Sequence, residues 1–392
     1  MLAIQKGMSA MRSAPDYEKP LFDLPQQVKD AARIETIELL KRDSSYFVRT
    51  RADGGATGIV MTKQVEPFIP IFRDIVAPCF IGKDARDIET LIDEVYTAHY
   101  KLAGIPFWCP VAYIEQSILD MLGRIAGKYV GELLGGVLRK EVPVYLSGSG
   151  RATTAEEEVE VYVRGVRHTG TKIVKFKIGG RMSRNEDAYP GRTETLLELG
   201  RKRLGDDVTL YADANGSYDA TKAIEVGRMM ESLDYRMFEE PCPWEELTET
   251  QQATKALTIP VSCGEQDSSL WRFRWMMQNG VMDIVQPDIN YNGGIIRAIR
   301  VARMAEALGL KIVPHNTQKN AASVNILAFA SRTPNIGPAM EHTWRKPQQP
   351  ESWFSPNFII DNGVLHVPTG PGLGIEIDPA YLAGAEIVAT IR

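Results

Sequence analysis

Apolar spacing changes character along the chain. Near the N-terminus IETIELLKRD is followed by YFVRTRADGGATGIVMT, where runs of β-type residues flank the turn signal Asp53-Gly54-Gly55. That pattern predicts a hairpin, because such dipeptides supply the positive φ angles a tight connection needs. Between 84 and 136 the spacing becomes helical: Ile88, Leu91, Ile92 and Val95, then Ile114, Ile118, Leu119, Leu122 and Ile125. The first portion therefore reads as a segregated α+β unit. Residues 1–30 carry prolines and charges with little periodicity, and read as an arm, an oligomer contact or a disordered stretch.

After about 140 the rhythm is different. Short apolar runs recur: VPVYLSG, IVKFKIG, VTLYADANG, RMFEEPC, IPVSCGEQ, DIVQPDI, KIVPHN and GPAMEH. Helical stretches such as ATKAIEVGRMMESL and IRAIRVARMAEALG separate most of them. Eight strands alternating with helices predict parallel βα units closing into a barrel. The continuous apolar character of the strands fits burial on both faces. From about 353 the pattern lapses, and this tail can return to cover the first unit.

Composition narrows the function. Of 392 residues, 44% are hydrophobic and 24% charged, an ordinary soluble globular balance. The net charge of −5, with no basic stripe, argues against nucleic acid as a partner. Cys79, Cys109, Cys242 and Cys263 form no CxxC pair, which disfavours structural zinc and a disulfide framework and points to a reducing cytoplasm. No apolar run reaches spanning length, and MLAIQKGMSAMRSAP is too polar and interrupted for a secretory signal.

In a barrel of this kind the active site lies where the strands end. Here the strand ends carry Lys175 and Lys177, Asp213 with Asn215, Glu239 with Glu240, Glu265, Asp288, His315 and Glu341. Asp213, Glu239 and Glu265 follow one another at intervals of 26 residues, one βα unit apart, so the three carboxylates should converge. Each alone reads as a solvated loop acid; together they offer hard oxygen donors suited to Mg²⁺. In Lys175-Phe176-Lys177, alternation puts both lysines on one face, and a lysine beside another cation and a metal has its pKa lowered toward use as a base. Asp288 and His315, at adjacent strand ends, suggest a general acid/base dyad. Glu341 is either a protonated donor to a substrate oxygen or a salt-bridge partner.

These elements, KFK at 175–177, DAN at 213–215, FEEP at 238–241, GE at 264–265, QPDINYNGG at 286–294, PHN at 314–316 and Glu341, resemble the mandelate racemase subgroup of the enolase superfamily. The resemblance runs from about 33 to the end of the chain. It implies a modified TIM barrel, (β/α)₇β, over 141–352, closed by an α+β capping domain formed by 31–140 and the C-terminal segment 353–392, with 1–30 as an N-terminal arm. It implies Mg²⁺ on Asp213, Glu239 and Glu265, Lys177 as one base supported by Lys175, and the Asp288–His315 dyad on the other face. Glu341 would stabilise the enediolate and Asn215 would touch substrate. Specificity would come from capping loops near 42–46 and 64–72, whose polar Arg42, Asp43 and Gln64 suit a polyhydroxylated substrate. Phe107 and Trp108 would favour an apolar substrate if they faced the pocket, and otherwise read as packing between domains. The activity implied is dehydration of a sugar acid, with a racemase or epimerase of 2-hydroxy acids, or an inactive relative, as alternatives. The partner implied is a small hydroxy-acid, with a homo-oligomer from dimer to octamer.

Overall fold

The alternating runs near the N-terminus pair as an antiparallel sheet in the computed structural model, which describes residues 20–63, 65–148 and 150–392. Strand β1 (Ile34–Arg42) pairs with β2 (Ser45–Ala52), which pairs with β3 (Thr57–Met61) across the expected Asp53-Gly54-Gly55 turn. The strand Glu386–Ile391, from the other end of the chain, adds antiparallel to β1. Beneath lie helices α1 (Ile88–His99) and α2 (Ile105–Ala126). Strand β3 lies directly on α2: a Cβ at Gly58 would stand 2.8 Å from that of Met121 and overlap the Ser117 carbonyl. Of the apolar stripe on α2, Ile114, Ile118, Leu119 and Leu122 are buried, whereas Ile125 is 40% exposed in the last turn before the left-handed Gly127 cap. Of the N-terminal arm, residues 1–19 lie outside the described residues. Of the remainder, Leu24 is buried and the Leu21 amide donates to the Glu89 carboxylate at 3.0 Å.

The repeating runs after 140 form eight parallel strands: β4 (Glu141–Ser147), β5 (Ile173–Lys177), β6 (Thr209–Asp213), β7 (Tyr235–Glu239), β8 (Val261–Cys263), β9 (Ile284–Val285), β10 (Lys311–Ile312) and β11 (Met340–Thr343). They hydrogen-bond in sequence from β4 to β10, with β11 beside β4. Closure comes from a parallel bridge between Ile312 and Ile336, where the Ile312 amide donates to Asn335 and Gly337 donates back to Ile312. A helix follows each of the first seven strands and none separates β11 from β4, so the barrel is (β/α)₇β. β5 and β6 are buried on both faces beyond their first residue, as continuous apolar runs in a parallel sheet require.

Polar contacts join the two layers. Glu115 of α2 is fully buried and accepts from the Ile296 amide at 2.7 Å, at the start of the helix Ile295–Ala307. Burial pushes its carboxyl up to about 8 despite the backbone donors. Its neighbour Gln116 donates to Asn290 at 2.9 Å. Trp108 is buried with Arg297 stacked 3.6 Å from its ring centre, so this residue packs between the layers. Cys109, Cys242 and Cys263 are buried apolar fillers whose thiols are raised by burial. No helix among the described residues is long and apolar enough to cross a membrane.

Candidate active site

Register alone brings the first three charged groups together. On adjacent strands Lys177 pairs with Asp213, and Asp213 pairs with Glu239, so all three sit on the last rung of the sheet. Just past that rung the backbone turns sharply. Asn215 and Glu240 take left-handed φ values of 43° and 39°, and the Asp213 carboxylate accepts from the Asn215 amide at 2.8 Å. Gly264, with φ 119°, turns the chain ahead of Glu265; a Cβ there would stand 2.8 Å from the Phe273 ring, so glycine is required. The result is that Asp213, Glu239 and Glu265, all buried, place one oxygen each within 4.8 Å of one another.

Cations flank this trio. Lys175 is wholly buried, with Nζ 2.7 Å from both oxygens of Glu239, 2.9 Å from Glu341 and 3.9 Å from Asp213. Burial opposes its charge, but Glu239, Glu341, Tyr145 and Asp213 outweigh burial and hold its pKa well above the ordinary value. Three carboxylates surround Lys175 and set this direction. Lys177 donates to Asp213. Burial would raise Asp213, yet Lys177, Lys175 and Arg151 keep it below the usual carboxylate range. Glu239 goes the other way, pushed up to about 8 by burial and by Asp213 and Glu341 against the pull of Lys175.

On the opposite flank His315 donates from Nδ1 to Asp288 at 2.9 Å and places Nε2 3.3 Å from Glu265. Asp288 and His315 are partners in an isolated parallel bridge just past β9 and β10. Burial lowers the imidazole pKa, but Glu265, the Asp288 hydrogen bond and Glu341 raise it to about 9. Glu341 accepts from the Asn316 amide at 2.8 Å and pairs with Lys175. Against burial, Lys175, His315 and Lys177 lower it to about 2, in keeping with its pairing with Lys175. Asn215 uses its amide internally, accepting from Arg151 at 2.9 Å and donating to Glu240 at 3.3 Å.

The family follows from this frame. Residues 157–381 match the enolase C-terminal domain-like family. The chain belongs to the enolase superfamily. Its place is in the mandelate racemase/muconate lactonizing branch. It is 30% identical over 310 residues to an arabinonate dehydratase of Saccharolobus solfataricus, covering 77% of this chain and 79% of that one. A D-mannonate dehydratase of a Sphingomonas species is 28% identical over 343 residues, covering 80% and 83%. Among solved structures, a mandelate racemase/muconate lactonizing protein from Paracoccus denitrificans complexed with magnesium is 27% identical with a TM-score of 0.83. That match covers 92% of this chain and 100% of that one.

Arg151 and Gln286, not singled out among the strand ends, join Glu240 around this site. Arg151, just past β4, donates to Asn215 and to the carbonyls of Ile178, Gly179 and Asp213. Gln286 donates to Glu239 at 2.8 Å. Glu240, on the rim beside Glu239, is buried with Oε1 unbonded and is raised well above the carboxylate range by burial, Glu265, Asp213 and Glu239. Arg151 could have been found as a charge next to a strand end; the contact of Gln286 with Glu239 needed the folded geometry. Of the capping loops, Arg42 donates to the Gly384 carbonyl at 2.6 Å and so serves the C-terminal segment, while Gln64 lies outside the described residues. Lys63, beside it, reaches the barrel rim.

Proposed function

We propose that this chain is a Mg²⁺-dependent acid-sugar dehydratase, a carbon–oxygen lyase that converts a sugar acid to its 2-keto-3-deoxy acid. The observation that carries the reading is the carboxylate trio with Lys177 on its Asp213 flank and His315 on its Glu265 flank. A barrel over 141–352 would supply these groups and a cap from 31–140 and 353–392 would close over them.

The donor set fits Mg²⁺: three hard carboxylate oxygens converge, and Glu265 Oε2 is buried without a hydrogen bond. When bound to Asp213, Glu239 and Glu265, the cation would supply Lewis-acid stabilisation of the charge that develops on the substrate carboxylate. Lys175, held by its pair with Glu341, would orient that carboxylate from the barrel interior. Lys177 takes the α-proton. The electron pair moves to the enediolate and then expels the β-hydroxyl, which leaves as water with the proton from His315 Nε2. Asp288 fixes His315 with Nδ1 protonated, and the raised imidazole pKa keeps that acid charged at neutral pH. The resulting enol becomes the ketone.

Two proton-transfer groups on opposite flanks also favour a second reading, racemisation or epimerisation of a 2-hydroxy acid, in which His315 returns a proton to the α-carbon. Turnover of a mono- and diacid sugar library with Mg²⁺ separates the two, with semicarbazide to detect ketones and D₂O reactions read by NMR. A 2-keto-3-deoxy product supports dehydration; α-deuteration with epimer and no ketone moves the assignment to racemase. Neither signal from any acid would refute both.

A further inference from the structure

Lys63 follows β3, where the cap meets the barrel, and is half-buried. Its carbonyl accepts from the Tyr113 hydroxyl of α2, which anchors this stretch to the cap. Its Nζ crosses to the rim, donating to Thr317 and lying 3.4 Å from the Tyr291 hydroxyl and 5.2 Å from that ring's centre. Both contacts belong to the acid flank: Thr317 is two residues past His315, and the Tyr291 ring centre is 6.2 Å from the His315 ring. No carboxylate lies within 4.0 Å of Nζ among the described residues, although acids crowd the rim below. A second cation approaches from across the mouth. Arg181, on the loop after β5, touches Asn215 at 3.4 Å and pairs with no acid among the described residues. It also acts electrostatically on the Tyr291 hydroxyl. Two cations without acidic ion-pair partners among the described residues thus stand at the mouth, Lys63 from the cap beside the dyad and Arg181 from the barrel rim beside Asn215, whereas Lys175 and Lys177 below are committed to carboxylates.

We propose that Lys63 and Arg181 form a subsite for a second anionic group at the far end of the substrate, so that the enzyme takes sugar acids carrying a terminal carboxylate or phosphate in preference to aldonates ending in a neutral alcohol. This rests on the dehydratase reading and specifies its substrate class. The α-carboxylate is held by the deep groups, and the chain of hydroxyl-bearing carbons runs outward past His315 to the cap. A terminal anion there exchanges water for two charge-assisted hydrogen bonds, which distinguish it from an alcohol by roughly 10- to 100-fold.

The experiment compares kcat/KM for aldarates, 6-phosphoaldonates and aldonates of matched configuration, with Mg²⁺, in wild type, Lys63→Met, Lys63→Arg and Arg181→Met. Melting curves confirm that each variant is folded. The expected result is a wild-type preference of about tenfold or more for one anion-ended series, and which series it is names the terminal group. Lys63→Met should reduce that preference by roughly 3- to 10-fold, mainly through KM, with partial recovery in Lys63→Arg. Equal use of aldonates, or equal loss on all series in Lys63→Met, would overturn the subsite while leaving dehydration intact. Calorimetry with galactarate and glucarate covers the converse: Lys63-dependent binding without turnover would keep the subsite and sink the dehydratase reading. Absence of both binding and turnover for every anion-ended acid would overturn the proposal.

Discussion

Replacing Asp288 by Asn tests the acid flank without changing its shape. All three neighbours of this buried carboxylate are donors: the Asn290 amide at 2.8 Å, the Tyr291 amide at 3.1 Å and His315 Nδ1 at 2.9 Å. An amide side chain has one acceptor oxygen, so its NH₂ must face either the backbone pair or the imidazole. Facing the backbone, it breaks the turn that carries Tyr291. Facing the ring, it forces Nδ1 to accept and moves the proton to Nε2, toward Glu265. Either outcome loses at least one charge-assisted hydrogen bond, about 1.5–3 kcal/mol, and removes a group that raises the His315 pKa. Turnover should fall by about 10²- to 10⁴-fold, the usual worth of a positioned general acid. The pH dependence shifts as well. His315 is raised in the folded protein, so its stabilising effect is complete below about pH 6.5 and is lost as pH rises through about 9; in Asp288→Asn this loss should shrink and move to lower pH. Dehydration rates, chemical melts and ¹⁵N-histidine NMR measure the three effects. Unchanged turnover with Nδ1 still protonated would show that the pair does not act as a dyad.

Lys177→Ala and His315→Asn should each abolish turnover while melting cooperatively, and wild-type rates in either would defeat the two-flank mechanism. Exhaustive chelation should remove activity and Mg²⁺ restore it. Because Glu239 is raised to about 8, cation binding must displace its proton, so apparent Mg²⁺ affinity in calorimetry should increase by up to about tenfold per pH unit below 8; a flat profile would remove Glu239 from the ligand set. Far from the rim, Glu231 accepts from Thr258 Oγ1 at 2.7 Å and the Ile259 amide at 3.1 Å, just before β8, and is lowered to about 2 by these and other donors against burial. Glu231→Gln should cost on the order of 2 kcal/mol in urea melts. The wild-type contribution is present above about pH 4.3 and lost as pH falls toward 2, so an identical acid profile in the variant would refute it.

Much of this molecule is legible in the sequence because its geometry is periodic. Parallel strands of similar length put Lys177, Asp213 and Glu239 on one rung, and a regular interval between strand ends is enough to expect that convergence. The hairpin turn at Asp53-Gly54-Gly55 and the helical stripe of α2 are legible for the same reason. The stripe misleads at Ile125, where periodicity continues into a last turn that is exposed. Regular spacing also says nothing of Glu115, a carboxylate placed amid an apolar helix. Its partner is a backbone amide 181 residues away, and only the docking of cap on barrel makes that contact.

Protonation is the harder inference, because it depends on how many charges surround a group and on which side. From the sequence, the paired lysines beside a metal suggest a depressed lysine, and Glu341 is either a neutral donor or a salt-bridge partner. In the folded rim Lys175 meets Glu239, Glu341 and Asp213, so the lysine is held charged and Glu341 ionised. The same crowding divides the trio itself: Asp213, next to both lysines, is lowered, while Glu239, wedged between Asp213 and Glu341, is raised. Two residues with one expected role are therefore shifted in opposite directions by their neighbours. On the dehydratase reading, a divalent cation on Asp213, Glu239 and Glu265 would compete with Lys175 and Lys177 for the carboxylates that now hold them.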